Sequence, residues 1–357
     1  MGKLWSRHRL AALAAVVIWA SALPAHADGC GGLAGRPVTW IVPFSPGGGF
    51  DVEARLLAPH LARALGTEVA VQNVTGAGGL VGAKAIRDAA PDGRTMGVVN
   101  ASGLTAVAVL DEKDAPTVDE FTVLARTGTQ RHVWMVRQDS PIRTADDLIA
   151  RGKAGELVFA ATDLGGASFL STVLGGSLLG FEPEIVAGYR GSAELRVAVL
   201  RGDIDAISGT FESSIDMLAT EELRPILQLA EAPISDDPVL AGVPVLGGPD
   251  GVAARQAAAE GGDAVAAVAR ASLVAEVTGM GRFLVAPAGL PTEIEACLAE
   301  AVARVLADPA AQKDIQAARR TLQPLTGPEA AALAREVVGR AGTLRPDIEQ
   351  ALAKTRS

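Results

Sequence analysis

Histidine, cysteine and tyrosine are scarce in this chain of 357 residues, which carries four, two and one of them respectively. The histidine shortage narrows the chemistry most, because His8 and His26 fall in an N-terminal leader pattern and leave only His60 and His132. Neither stands in a HExxH motif or a ligand-spaced cluster, and no GxSxG elbow is present, so no metal site or nucleophile triad is expected. Cys297 sits inside an Ala/Leu helical pattern and reads as a core thiol rather than a nucleophile. With Cys30 it is compatible with one disulfide, which two cysteines alone do not establish. Basic charge is also in deficit: 32 Lys and Arg face 41 Asp and Glu, and without Lys3, Arg7 and Arg9 the balance is near −12. Nucleic acid is therefore not an expected partner, and an anionic ligand would be held by local geometry rather than by a global field.

What is present begins with a leader. Lys3, Arg7 and Arg9 precede an apolar run from Leu10 to Ala20, and Ala25-His26-Ala27 places small residues where signal cleavage needs them. Residues 1–27 are read as a secretory signal peptide. A retained membrane anchor would need about 20 apolar residues, and the run is shorter. Lipidation at Cys30 is disfavoured by Asp28 in Ala27-Asp28-Gly29-Cys30.

Beyond the leader, β-like runs alternate with Ala/Leu-rich helical runs, which predicts an α/β protein with helix-covered parallel sheets. Strands are expected at Val38–Val42, Glu68–Val71 and Met96–Val99, with helices at Val52–Leu65 and Leu80–Ala89. His132–Arg137 reads as a buried strand, and a second block follows with strands at Leu157–Ala161, Glu184–Ala187 and Ile204–Ser208 and helices at Ser168–Leu179 and Ser192–Leu200. The Ala-rich stretch Val252–Val277 reads as helix, Arg282–Ala286 as strand, and Thr292–Ala307, Gln312–Arg320 and Pro328–Ala341 as helices.

Two strand-to-helix turns in the first block are rich in glycine: Pro46, Gly47, Gly48, Gly49, Phe50 and Asp51, then Gly76, Ala77, Gly78 and Gly79. Such turns aim backbone N–H groups at the positive end of a helix dipole and so form anion sites. If both face one cleft they grip one carboxylate from two sides. The second turn is no dinucleotide fingerprint, because Val81 stands where the last glycine is needed and no acid ends the next strand. Asp51 either caps the helix it opens or pairs with an ammonium or hydroxyl of the ligand. In the second block, Thr162 to Ser168 and Gly188 to Ser192 hold the same strand-to-helix position.

With these residues in view, the chain resembles the periplasmic solute-binding proteins of tripartite tricarboxylate transporters, the Bug family. The segments that carry the resemblance are Pro43 to Asp51, Gly76 to Gly79 with Gly82, Pro91-Asp92-Gly93, Tyr189-Arg190-Gly191-Ser192-Ala193, Arg201 to Asp205, and Ala286 to Pro291. It implies a two-lobed Venus flytrap fold, each lobe a mainly parallel sheet flanked by helices. Residues 28–134 with 284–357 would form the first lobe and 135–283 the second, with crossings near His132–Arg137 and Arg282–Val285. It also implies a periplasmic, non-enzymatic monomer without cofactor or metal that binds a small organic acid and delivers it to membrane permease subunits. A sensing protein partnering a sensor kinase, or an enzyme acting on a carboxylate, are the alternatives. The ligand would be held by the two glycine-rich turns, with Asp163, Ser168, Arg190, Ser192, Thr210 and Phe211 on the other side. The chain departs from the family at Phe50, where many relatives have a small residue, and at Ala167 to Ser171, which lacks the usual histidine.

Overall fold

The computed structural model describes Leu33 and residues 35–355, apart from positions 111, 163, 165, 235 and 236. The leader over residues 1–27, Cys30 and Asp163 therefore lie outside the described residues. Cys297 is disulfide-bonded.

The chain first lays down β1 (Val38–Val42), α1 (Gly49–Leu65), β2 (Val69–Asn73), α2 (Leu80–Arg87), β3 (Thr95–Asn100), α3 (Ala101–Val109) and β4 (Phe121–Gly128). It then builds β5 (His132–Arg137), α4 (Ala145–Ala154), β6 (Val158–Ala161), α5 (Ala167–Leu178), β7 (Glu184–Ala187), α6 (Ser192–Arg201), β8 (Ala206–Thr210), α7 (Phe211–Ala219) and β9 (Leu223–Gln228). Helices α8 (Val252–Ala259) and α9 (Ala264–Gly279) lead back to β10 (Arg282–Pro287), α10 (Thr292–Ala307), α11 (Pro309–Ala317), β11 (Leu325–Thr326), α12 (Gly327–Ala341) and α13 (Arg345–Thr355).

Two sheets result, ordered β11-β4-β10-β3-β1-β2 and β7-β6-β8-β5-β9. In the first, β2, β1 and β3 run parallel, and β10 enters between β3 and β4 against both. In the second, β7, β6 and β8 run parallel, and β5 enters between β8 and β9 against both. The strands that receive the chain from the other sheet are the ones inserted in reverse, because a chain arriving from the partner lobe enters at the end where the parallel strands finish.

The two crossings lie side by side. Gln130 N–H donates to the Gly279 carbonyl at 3.2 Å, and Ala101 N–H to the Gly281 carbonyl at 3.1 Å. Gly281 has φ +93°, and a Cβ there would fall 1.9 Å from the Gly128 carbonyl oxygen, so only glycine lets the strands pass this closely. One apolar cluster packs the first sheet against α1, α10 and α11. The largest runs across both lobes, from Val99 and Leu104 through Trp134, Phe159 and Phe169 to Val274, Val337 and Ile348. It includes α13, which lies on α5 with Asp347 accepting from Ser177 at 2.5 Å and pairing with Arg270.

Several readings differ from the observed elements: the sheets are mixed rather than mainly parallel, because β10 and β5 each run against both neighbours, and α11 starts at Pro309 instead of Gln312. The stretch 252–277 is two helices, because Gly261 takes φ +72° and Asp263 caps a new helix by accepting from Val265 and Ala266 N–H. Helix α1 starts three residues before the expected Val52, inside the glycine turn.

Candidate functional site

Between β1 and α1 the chain must reverse and leave its first helical N–H groups open. Gly47 takes φ +77°, and Asp51, 3% exposed, ties the turn together. Its carboxylate accepts from Gly47 N–H at 2.8 Å and from Arg55 Nε and Asn73 Nδ2, both at 2.9 Å. Burial pushes the Asp51 carboxyl up, but the bonds from Arg55, Gly47 and Asn73 outweigh it and leave it below its ordinary range. Three protein donors thus occupy Asp51 within the turn, and it lines neither cavity described below. Pro46 and Gly47 belong to the same outer scaffold.

A cavity of about 60 Å³ lies between the lobes and widens into an open mouth. Gly48, Gly49 and Phe50 line it from the first lobe, and Ser168, Ser192 and Thr210 from the second. Five helices open onto it at their N-terminal ends: α1 at Gly49, α3 at its cap Asn100, α5 at Ala167, α6 at Ser192 and α7 at its cap Thr210. Each follows a strand directly, so the convergence is the usual consequence of helices starting at the carboxyl ends of strands. First-turn N–H groups of a helix have no intrahelical acceptor and lie under its positive end, although at α3 and α7 some are taken, Ala101 and Phe211 N–H by the Gly281 and Arg131 carbonyls and Ser102 N–H by Asn100 Oδ1. The lobes touch at the rim, where Ser45 Oγ donates to the Arg190 carbonyl at 2.8 Å.

The hinge-side floor carries residues that sequence reading did not select: Asn100, Gln130, His132 and Arg282. Arg282, 2% exposed, donates from Nη1 to Glu53 Oε2 at 3.0 Å and lies over the Phe50 ring, 5.1 Å from its centre. Thr127 Oγ1 donates to the other Glu53 oxygen, so that carboxylate is fully used inside the protein. Phe50 also packs on Phe44 at 4.6 Å. His132 Nδ1 faces Ser171 and Ser208 hydroxyls at 3.4 Å each. Burial, reinforced by the Arg282 charge, lowers its pKa to about 4, so the ring is neutral at physiological pH. Arg282 had one visible sign in the sequence, a cation opening an otherwise apolar strand, and Glu53 lies in α1 three residues after Phe50.

The second glycine turn lines an adjoining cavity. Gly76, Ala77, Gly78 and Gly79 take φ of +138°, +42°, +65° and +94° and face Tyr189, Arg190 and Thr162. Phe44 and Thr162 border both cavities. In this conformation the two turns therefore stand on either side of Phe44. Arg190 is exposed and pairs with Glu194, its Nε 2.7 Å from the carboxylate. Phe211 is buried in the second lobe under Arg131 and lines neither cavity. Ser213, missed in the sequence, lines the main cavity and accepts from Thr210 Oγ1 at 2.7 Å.

Residues 53–232 match the family model described as "Tripartite tricarboxylate transporter family receptor". The protein BugT of Bordetella pertussis is 32% identical over 222 residues, 61% of this chain and 68% of that protein. A protein from the tcbD-tcbE intergenic region of a Pseudomonas strain is 31% identical over 190 residues, 51% of this chain and 52% of that one, so the match spans about half of that relative. Among solved structures, MatC from Rhodopseudomonas palustris with bound malate has a TM-score of 0.71 at 24% identity, covering 87% of this chain and 98% of that one. The periplasmic binding protein BugD has a TM-score of 0.71 at 22% identity, covering 88% and 97%. An R. palustris protein with adipate has a TM-score of 0.70 at 22% identity, covering 88% and 97%. The structural matches give the same two-lobed fold, and the family model with BugT shows that the chain belongs to the tripartite tricarboxylate transporter receptor family, which includes the Bug proteins.

Proposed function

We propose that this chain is a periplasmic, non-catalytic receptor that captures a small organic acid between its lobes and delivers it to the permease subunits of a tripartite tricarboxylate-type transporter. The observation that carries the reading is the convergence of five helix N-termini from both lobes on one cavity. Oriented N–H groups and helix dipoles there stabilise a carboxylate without a dedicated countercharge. The α1 turn, with Gly48, Gly49 and Phe50, takes one end of the ligand. Hydroxyls of Ser168, Ser192 and Thr210 meet it from the second lobe, so a ligand touching both lobes favours the closed form. Malate in MatC and adipate in a second relative support the acid class. The absence of turnover is supported at His132, whose pKa near 4 makes it a poor general base at neutral pH.

The test is titration of the purified mature protein, by calorimetry and thermal shift, with di- and tricarboxylates, amino acids and aromatic acids. At least one acid is expected to bind, to raise the melting temperature and to be recovered unchanged. No binding or shift across the panel overturns the reading.

A further inference from the structure

The hinge-side floor of the cavity holds three polar atoms with no partner among the described residues: His132 Nε2, Arg282 Nε and Gln130 Oε1. Their residues come from β5, β10 and the first crossing segment, all line the same cavity, and they are 3%, 2% and 5% exposed. Two neighbouring atoms are already paired: Asn100 Oδ1 accepts from Ser102 N–H at 3.2 Å, and Arg282 Nη1 is spent on Glu53. Each buried polar atom left unmade weakens the closed form, and a ligand group of matching polarity restores what is lost. The three atoms do not ask for the same thing. The His132 Nδ1 contacts at 3.4 Å suit either tautomer, because the Ser171 hydroxyl donates to the Ala167 carbonyl at 2.7 Å and lies 2.7 Å from the Ser208 hydroxyl, so the firm assignments are Arg282 Nε as a donor and Gln130 Oε1 as an acceptor. One carboxylate alone answers the Arg282 donor and leaves the Gln130 acceptor idle.

We propose that this floor selects a hydroxyl-bearing carboxylate over its unsubstituted counterpart, with a ligand oxygen accepting from Arg282 Nε–H and the ligand hydroxyl donating to Gln130 Oε1. The inference rests on the receptor reading above and names its substrate class. An ammonium could also donate to Gln130, but the local charge opposes it. The Arg282–Glu53 and Arg131–Glu212 pairs cancel internally, and Arg320, within electrostatic reach of Glu53 and Glu212 as well as of Arg282 and Arg196, adds a positive charge that makes no ion pair among the described residues. A hydroxyl brings the donor without the repulsion.

The experiment is isothermal titration of the mature protein with acids that differ only in the substituent: malate, succinate and aspartate as one set, and citrate with tricarballylate as another. Any other acid that the wider panel identifies is compared with its deoxy counterpart. The hydroxy acid is expected to bind about tenfold more tightly than the unsubstituted one, the worth of about one buried hydrogen bond, and aspartate more weakly than either. Gln130→Met, similar in volume but without the acceptor, is expected to lose the tenfold preference, so that the affinities for the hydroxy acid and its unsubstituted counterpart converge. Should that variant not fold, the wild-type ratio decides alone. Equal binding of each matched pair, tightest binding of aspartate, or a preference that survives Gln130→Met overturns this inference and leaves the receptor reading standing. Failure of every acid to bind overturns both.

Discussion

His132 is a base that the fold keeps uncharged. Its pKa is about 4 in the folded chain against an ordinary value of about 6.5, because its burial removes the water that would solvate the imidazolium and Arg282 repels it. Between those values the unfolded chain binds a proton that the folded chain does not. The contribution is therefore fully present above pH 6.5 and is lost as pH falls toward 4. Urea unfolding at pH 7.5 and 4.5 is expected to show the wild type losing about 2 kcal/mol more than His132→Gln. Equal losses would mean that another group carries the acid lability. The same neighbourhood shows which residues were readable in advance. Asp51 was only in part: a helix cap or a ligand contact was expected, and its carboxylate instead ties the turn through Gly47 and Arg55, each four residues away. The Arg282–Glu53 pair was not, since its members are separated by 229 positions and only the sheet order brings β10 beside the start of α1.

At the scale of elements, the glycine turn before α1 has two separable jobs. Gly47 allows the reversal, while Gly49 keeps the helix start bare. A Cβ at Gly49 would lie 2.7 Å from Ser213 Oγ of the second lobe, and 3.3 and 3.4 Å from the Arg282 and Arg320 guanidinium nitrogens. Alanine suits helix α1 better than glycine does, so Gly49→Ala is expected to leave the melting temperature of the unliganded protein unchanged or slightly raised. Closure onto ligand is expected to suffer, with affinity for whichever acid binds falling about tenfold, the size of a modest overpacking penalty. Ser213→Gly in the same chain should restore it. Unaltered affinity in the single variant would show that closure does not bring α7 onto α1. Elements with strong local signals were legible: the strands that end in glycine turns, and the helices expected at Thr292–Ala307 and Pro328–Ala341. Helices α3, α7 and α13 escaped notice, because α3 and α7 run straight on from a strand and α13 from a short 3-10 turn, with no glycine or proline between them.

The whole molecule is less divided than two lobes suggest. The main apolar cluster passes through both, and α13 returns from the end of the chain to pack on α5. The crossing strands share backbone bonds at Gln130 and Ala101. Neither lobe can lose its packing without exposing surface in the other, so scanning calorimetry of the ligand-free protein is expected to give one transition, with equal calorimetric and van't Hoff enthalpies. Two resolved transitions would show that the shared cluster does not couple the lobes.

Composition and order along the chain determined the α/β class, the alternation of strand and helix, and the glycine-rich starts of the helices that surround the cavity, because each depends on residues a few positions apart. Which starts share one cavity was decided only by tertiary structure. Phe44 divides the two glycine turns, Phe211 points into the second lobe, and Gln130, His132 and Arg282 meet at the floor. The reason is physical: backbone turns are set locally by φ and hydrogen bonding, whereas the polarity of a cleft is set by side chains that reverse-running strands carry in from distant parts of the chain.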